Sequence, residues 1–306
     1  MKKFILRVFA VLVPFVAVVG TIVRLAYVTE LNVLKRSLTC PTNIVAAVVG
    51  DSRVEVYFDP AVMPWLRNFG LSATPFPVSA QKARLIAELN PHLKLLIVDI
   101  WPSKFFADLD KPFAVTERAS PYACSLVELM TRHDMPPLGE GFEVRLANGV
   151  LKPGLRHLMF GADDAESGIT GKFAENDKFL FEETPEGPKV RTAFGPPEKP
   201  TPLAKTPTGG EVVLEHLLED LSSTGIKVVL TTTPILWSEK RWTPEARAYF
   251  ERRMMEIARK FGVTWYNWMD EYQNATNLWA DGCHLNTVGA RVFSCDKKDL
   301  LEQLIW

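Results

Sequence analysis

The sequence predicts a three-layer α/β fold in which a largely parallel sheet carries helices on both faces. Short apolar runs rich in β-branched residues alternate with segments of helical periodicity, and boundary residues punctuate them. Residues 43–50, 93–100, 226–233 and 263–266 are the runs, nearly continuous in apolar character, as strands covered on both faces require. Residues 69–73 read as a further short strand ending in a loop, after the apolar positions Val54, Val56, Tyr57 and Phe58. Residues 80–89 have helical spacing without a breaker, and 211–223 place Val212, Leu214, Leu217, Leu218 and Leu221 on one stripe. Thr243-Pro244-Glu245 supplies an N-cap hydroxyl, a first-turn proline and an early acid for a helix reaching toward Lys260. A final helix is expected from about Thr287. Residues 103–209, with Pro136-Pro137, Pro185, Pro188, Pro196-Pro197 and Pro200, break the rhythm. They read as an insertion, either a cap or a surface excursion, with apolar segments at 127–130 and 179–181.

Residues 1–30 form a separate unit. The sixteen residues from Val8 to Val23 carry no charge, and Phe4, Ile5 and Leu6 extend the apolar stretch. Arg7 and Arg24 bracket it and can snorkel toward head groups. An uncleaved membrane anchor is the expectation, ahead of a cleaved signal peptide, for which no small-residue cleavage site follows, and of a buried core helix. Lys2, Lys3 and Arg7 nearly balance Arg24, Lys35 and Arg36, so the charge rule scarcely orients the anchor. Residues 31–42 read as a linker, and 43–306 as the α/β domain.

Thirty-five basic and 36 acidic residues give a net charge of −1, with 47% hydrophobic and 23% charged residues. Four basic residues and no acid precede Glu30, which leaves the remainder at −5. That charge offers nothing to a phosphate backbone, and nucleic acid is not an expected partner. Cys40, Cys124, Cys283 and Cys295 allow up to two disulfides outside the cytoplasm or four free thiols. Their spacing matches no metal cluster, and neither metal nor cofactor is expected.

The chemistry concentrates at two places. Ser52 follows the first strand directly, in Gly50-Asp51-Ser52-Arg53, where a hydroxyl starting a helical turn stands over the sheet edge near free N–H groups. Ligands of such sheets bind beyond the strands' carboxyl ends. His284 lies in Asp281-Gly282-Cys283-His284-Leu285-Asn286, just before the last helix. Asp281 can turn back onto one imidazole nitrogen and leave the other free for the Ser52 proton. Asn286 can orient the loop. His92, His133, His157 and His216 lack such surroundings.

These two blocks resemble those of the SGNH (GDSL-like) hydrolase superfamily, particularly membrane-anchored cell-envelope members that move acyl groups. The resemblance implies a flavodoxin-like sheet, with Ser52 as nucleophile, His284 as general base and then acid, and Asp281 as orienter. It also implies oxyanion donors from Ser52 N–H, from a glycine matched best by Gly70, and from an asparagine after the third strand. There the chain departs from the pattern: Asp99-Ile100-Trp101 replaces Gly-x-Asn-Asp, and a carboxylate accepts rather than donates hydrogen bonds. Asn68 and Ser72 are the substitutes considered, with Asp51 and Arg53 as supporting residues. The implied activity is serine-dependent acyl ester hydrolysis or O-acyl transfer on a cell-envelope glycan or glycolipid, beside a membrane acyltransferase partner. The implied location is a bacterial inner membrane, single-pass, with the domain outside the cytoplasm. The alternative is a catalytically silent scaffold or polysaccharide-binding protein of the same fold. Trp101, Trp237 and Trp242 either line a sugar cleft or belong to the core.

Overall fold

The computed structural model describes residues 2–72, 74–106, 155, 181–184, 187–190, 199–202 and 208–306. Most of the insertion, including 127–130, Cys124, His133 and His157, lies outside them. Helix α1 (Lys2–Leu38) leads into β1 (Ala46–Val49), α2 (Ser52–Tyr57), β2 (Leu66–Asn68), α3 (Phe76–Leu89), β3 (Leu95–Asp99) and α4 (Pro102–Phe105). A hairpin, β4 (Phe181–Thr184) with β5 (Gly187–Val190), belongs to the insertion. Then follow α5 (Gly209–Leu221), β6 (Lys227–Thr232), α6 (Ser238–Arg241), α7 (Pro244–Phe261), β7 (Thr264–Asn267) and α8 (Thr287–Ile305).

The main sheet has five parallel strands in the order β2-β1-β3-β6-β7. The chain reverses direction across the sheet between β1 and β3, so ligand chemistry belongs at that switch point, beyond the strands' carboxyl ends. The fold class is therefore the three-layer, flavodoxin-like arrangement that the alternating runs predict. Side-chain alternation explains why those runs are continuous. Ala47, Val49, Leu96, Val98, Val228 and Leu230 face one core with α3, α5 and α7. Ala46, Val48, Leu95, Ile97 and Val229 face the other with α2 and α8.

Several boundaries differ from expectation. The second strand ends at Asn68 rather than occupying 69–73, although Phe69 N–H and Leu71 N–H still donate to Val48 and Gly50 carbonyls, at 2.9 and 3.2 Å. Just beyond Asn68, Gly70 lies against the α2 backbone: an added Cβ would stand 2.3 Å from Glu55 N. Helix α3 begins before residue 80, since Pro75 and Pro77 suit a helix start rather than interrupting it. Cys40, Cys283 and Cys295 are free thiols.

Residues 31–38 are helical, not a linker. α1 continues unbroken, and its last turns bury Val33, Leu34 and Leu38. Leu34 and Leu38 join the core that contains Ala83, Ile86 and Ala87 of α3. Buried Asn90 fastens the end, donating to the Leu38 and Ile86 carbonyls at 2.9 and 2.8 Å while accepting from Cys40 N–H. The other half exposes Leu12, Val13, Phe15, Val16, Val18 and Val19, and α1 is long and apolar enough to cross a membrane.

Because Leu34 is fully buried, Leu34→Ala should cost about 2–5 kcal/mol of domain stability through lost burial and the cavity left behind. Urea unfolding of the full chain in detergent reads this; a loss near zero would show that α1 does not share the domain core.

Candidate active site

Every element of the site meets at the carboxyl edge of β1, β3 and β6. Asp51 caps α2 by accepting from Arg53 N–H at 3.1 Å, which sets Ser52 as the first helical residue. The first N–H groups of a helix have no carbonyl four residues back, so Ser52 N–H stays available. Gly50 is required by close approach: an added Cβ would lie 2.3 Å from Val54 Cγ2 and 3.1 Å from Asp99 Cβ.

The structure brings together three residues that the sequence reading joined across 232 positions. Ser52 Oγ lies 2.8 Å from His284 Nε2. On the far side of the ring, Nδ1 stands 3.0 and 2.9 Å from Asp281 Oδ1 and Oδ2. With the proton on Nδ1 donated to Asp281, Nε2 is left to accept from the serine hydroxyl. Asp281 Oδ1 also accepts the Cys283 and His284 N–H groups at 2.7 and 2.9 Å, folding the loop around the carboxylate. Burial alone would raise the Asp281 carboxyl, but His284 and these N–H donors hold it below the ordinary range.

The loop is anchored on every side. Asn286 Oδ1 accepts Gly289 N–H at 2.9 Å, capping α8, and its Nδ2 donates to the Asn277 carbonyl at 2.8 Å. Gly289 passes so close to Leu278 that a Cβ would meet its carbonyl oxygen at 2.2 Å. Tyr57 and Arg241 also hold the loop and were not singled out from the sequence. Tyr57 Oη lies 2.8 Å from the carbonyl oxygens of both Pro234 and Cys283. Arg241 donates to the Gly282 and Leu236 carbonyls at 2.7 and 3.1 Å. Gln273, likewise not singled out, holds the segment after β6, accepting from Trp237 N–H and donating to the Ile235 carbonyl. Their partners are backbone carbonyls and N–H groups, most of them distant in sequence, which leave no local motif.

Asp99 and Arg53 form a buried clamp behind Ser52. Arg53 is 2% exposed; its Nε donates to Asp51 at 3.2 Å and its Nη2 to Asp99 at 3.1 Å, with Trp101 3.9 Å beneath the guanidinium. Asp99 further accepts from Thr231 Oγ1, Thr233 N and Thr233 Oγ1 at 3.2, 2.9 and 3.2 Å. Both its oxygens are thus engaged in holding β3, β6 and α2 together, and it supplies nothing to an oxyanion. Lys104 approaches Asp51 at 4.0 Å. Burial opposes charge on Asp51 too, but Arg53 and Lys104 outweigh it and keep that carboxyl low. Asp99 is pushed up to about 6, burial prevailing over Arg53 and the threonine donors.

The oxyanion roles expected of Gly70 and Asn68 do not fit their hydrogen bonds. Gly70 N–H donates to Asn68 Oδ1 at 2.8 Å, and Asn68 Nδ2 donates to the Val54 and Phe58 carbonyls at 2.7 and 3.2 Å. The pair fixes β2 onto α2, because buried amides must be satisfied. Ser72 binds Glu55 through both its N–H and its hydroxyl. Trp101 and Trp242 pack edge to face with centroids 6.0 Å apart, and Trp242 is buried, so they build the core beside the clamp rather than an open sugar-binding face. Among the described residues no cluster of metal-ligating side chains occurs.

A carboxyl raised above its unfolded value contributes stability at low pH that is lost as the pH rises through its folded value. For Asp99 that window runs from about 4 to about 6, whereas Asp51 and Asp281, held low, lose their contributions only below about 4. The stability difference between the native protein and Asp99→Asn, measured by urea unfolding, should therefore shrink as the pH rises from 4 to 6. A difference independent of pH would contradict the assignment. No protein-family model matches the chain and no curated protein matches it in sequence, so the chemistry of the site follows from its own atoms.

Proposed function

We propose that the protein is a serine-dependent acyl ester hydrolase or O-acyltransferase of the SGNH type, acting on a cell-envelope glycan or glycolipid. The observation that carries this reading is the continuous chain Ser52 Oγ–His284 Nε2–His284 Nδ1–Asp281, with contacts of 2.8 and 2.9 Å. A serine hydroxyl is a poor nucleophile until a base shares its proton, and an imidazole is a dependable base only when its tautomer is fixed. Ser52 Oγ attacks the ester carbonyl as His284 Nε2 takes its proton. The resulting oxyanion meets Ser52 N–H, and the alkoxide leaves with the proton returned by His284. Water, or a sugar hydroxyl, gives its proton to His284 and attacks the acyl-serine; His284 returns that proton to Ser52 Oγ as the acyl bond breaks, with an acid or a new ester as product. Asp281 stabilises the imidazolium formed in each half.

A second reading is favoured by the engagement of Gly70, Asn68 and Asp99: a catalytically silent envelope scaffold or polysaccharide-binding protein of the same fold. Each missing oxyanion donor costs about 3 kcal/mol at the transition state, or roughly a hundredfold in rate, and both the glycine and the asparagine donors are missing. That penalty is consistent with a slow enzyme and leaves nucleophile activation intact, which is why the catalytic reading stands first. The apolar half of α1 supports a single-pass anchor, with the domain outside the cytoplasm of a bacterial inner membrane and a membrane acyltransferase as its partner.

A soluble fluorophosphonate should label Ser52 in the native protein and leave Ser52→Ala unlabelled. Labelling of His284→Ala should fall by about 10³ or more, because the base is removed. Folded native protein that never labels would select the scaffold. An alkaline phosphatase fused after Trp306 should be active in cells; an inactive fusion of normal abundance would place the domain in the cytoplasm.

A further inference from the structure

α1 carries its apolar half into the domain without a hinge: no Gly or Pro lies between Thr21 and Leu38, and all of these residues are helical. Its carboxyl end is tied to that of α3 through Asn90, which bonds the Leu38 and Ile86 carbonyls and Cys40 N–H. The two helices touch, and Leu34 and Leu38 share a core with Ala83 and Ile86. Helices joined at their carboxyl ends and packed side by side run in the same direction. The buried positions Ala26, Val33, Leu34 and Leu38 trace one helical stripe, so α1 lies on the domain for about 18 Å at 1.5 Å per residue.

The same distance back along α3 from Asn90 reaches Val78, in its first turn. That turn stands at the catalytic edge. The chain just before it pairs with the Ser52 turn through Leu71 N–H to the Gly50 carbonyl, at 3.2 Å, and Lys104 beyond β3 donates to the Thr74 carbonyl at 2.9 Å. The apolar half of α1 thus departs from the edge of the sheet that holds Ser52. Val23 closes its uncharged run, Arg24 follows, and Ala26 is already fully buried, so less than one helical turn separates apolar span from domain. A span of this length needs about 20 residues to cross hydrocarbon, which brings Arg24 to the head groups.

From this placement we infer that the catalytic edge faces the bilayer and that Ser52 takes its acyl group from an ester carried on a membrane lipid. This rests on the acyl-serine reading and the anchor proposed above. An unbroken helix with no spacer keeps the domain from turning its site toward bulk solvent, and a donor confined to the bilayer surface gains effective concentration from the same tether.

The test uses the full-length protein in nanodiscs containing lipids with a nitroxide on the head group. A fluorescent amino acid is incorporated at Ser72 on the catalytic edge, at Ser223 on the opposite edge, or at Val16 within the span, all three exposed. Loss of fluorescence at Ser72 with none at Ser223 is expected; the reverse pattern, or no loss at Ser72 while Val16 is quenched, overturns the orientation. Absence of quenching at Val16 removes the anchor and this inference with it. A fluorophosphonate tethered to a lipid head group should then label Ser52 in the same nanodiscs. Labelling by the soluble reagent but not by the tethered one overturns the lipid donor alone, and labelling by neither removes the serine reading as well.

Discussion

The buried guanidinium of Arg53 is the constraint around which the carboxyl edge of the sheet is organised. A cation at 2% exposure persists only if its charge is answered, and Asp51 and Asp99 answer it from two different segments. Asp51 also caps α2, so the same carboxylate that pairs Arg53 sets the backbone of Ser52. Asp99 takes three more hydrogen bonds from Thr231 and Thr233, which locks the ends of β3 and β6 in register with the serine turn. Truncating Arg53 would leave two carboxylates facing each other in a low-dielectric environment. The serine's position therefore depends on an electrostatic arrangement that touches no reacting atom.

The histidine loop uses a different means to the same end. Its backbone carbonyls accept from Tyr57 and Arg241, and Asn286 and Gly289 press its base onto the 3₁₀ turn Thr276–Leu278. Tyr57 belongs to the helix that begins with Ser52, so serine helix and histidine loop are bonded directly. Asp281 then needs only local geometry to orient the ring. The site is rigid where it must hold a tautomer. The Gly70 and Asn68 amides are engaged in joining β2 to α2.

Much of this was legible in the sequence because it is written in short-range patterns. Continuous β-branched runs identify strands buried on both sides, and the Thr243-Pro244-Glu245 start gives α7 its place. Asp281 and His284 are three residues apart, so their bond is local, and Asn286 reads as a residue that orients the loop. Residues 31–38 read as part of a linker, yet they are helical, and Lys35 and Arg36 give their turns a solvent side. Leu34 and Leu38, on the other side of the same turns, enter the core. Gly70 matched a motif position, yet its N–H points to Asn68, a partner that motif spacing cannot reveal.

The sequence by itself determined the layered α/β class, an apolar amino-terminal helix and the chemical identity of the serine, histidine and aspartate. Those follow from periodicity, propensity and side-chain type, which each residue carries with it. Only the tertiary structure decided that Ser52 and His284 meet at 2.8 Å, that Asp99 serves Arg53, and that α1 runs unbroken into the core. These depend on packing and burial across long separations in the chain, where the cost of an unpaired charge or amide is settled by whatever the fold brings beside it.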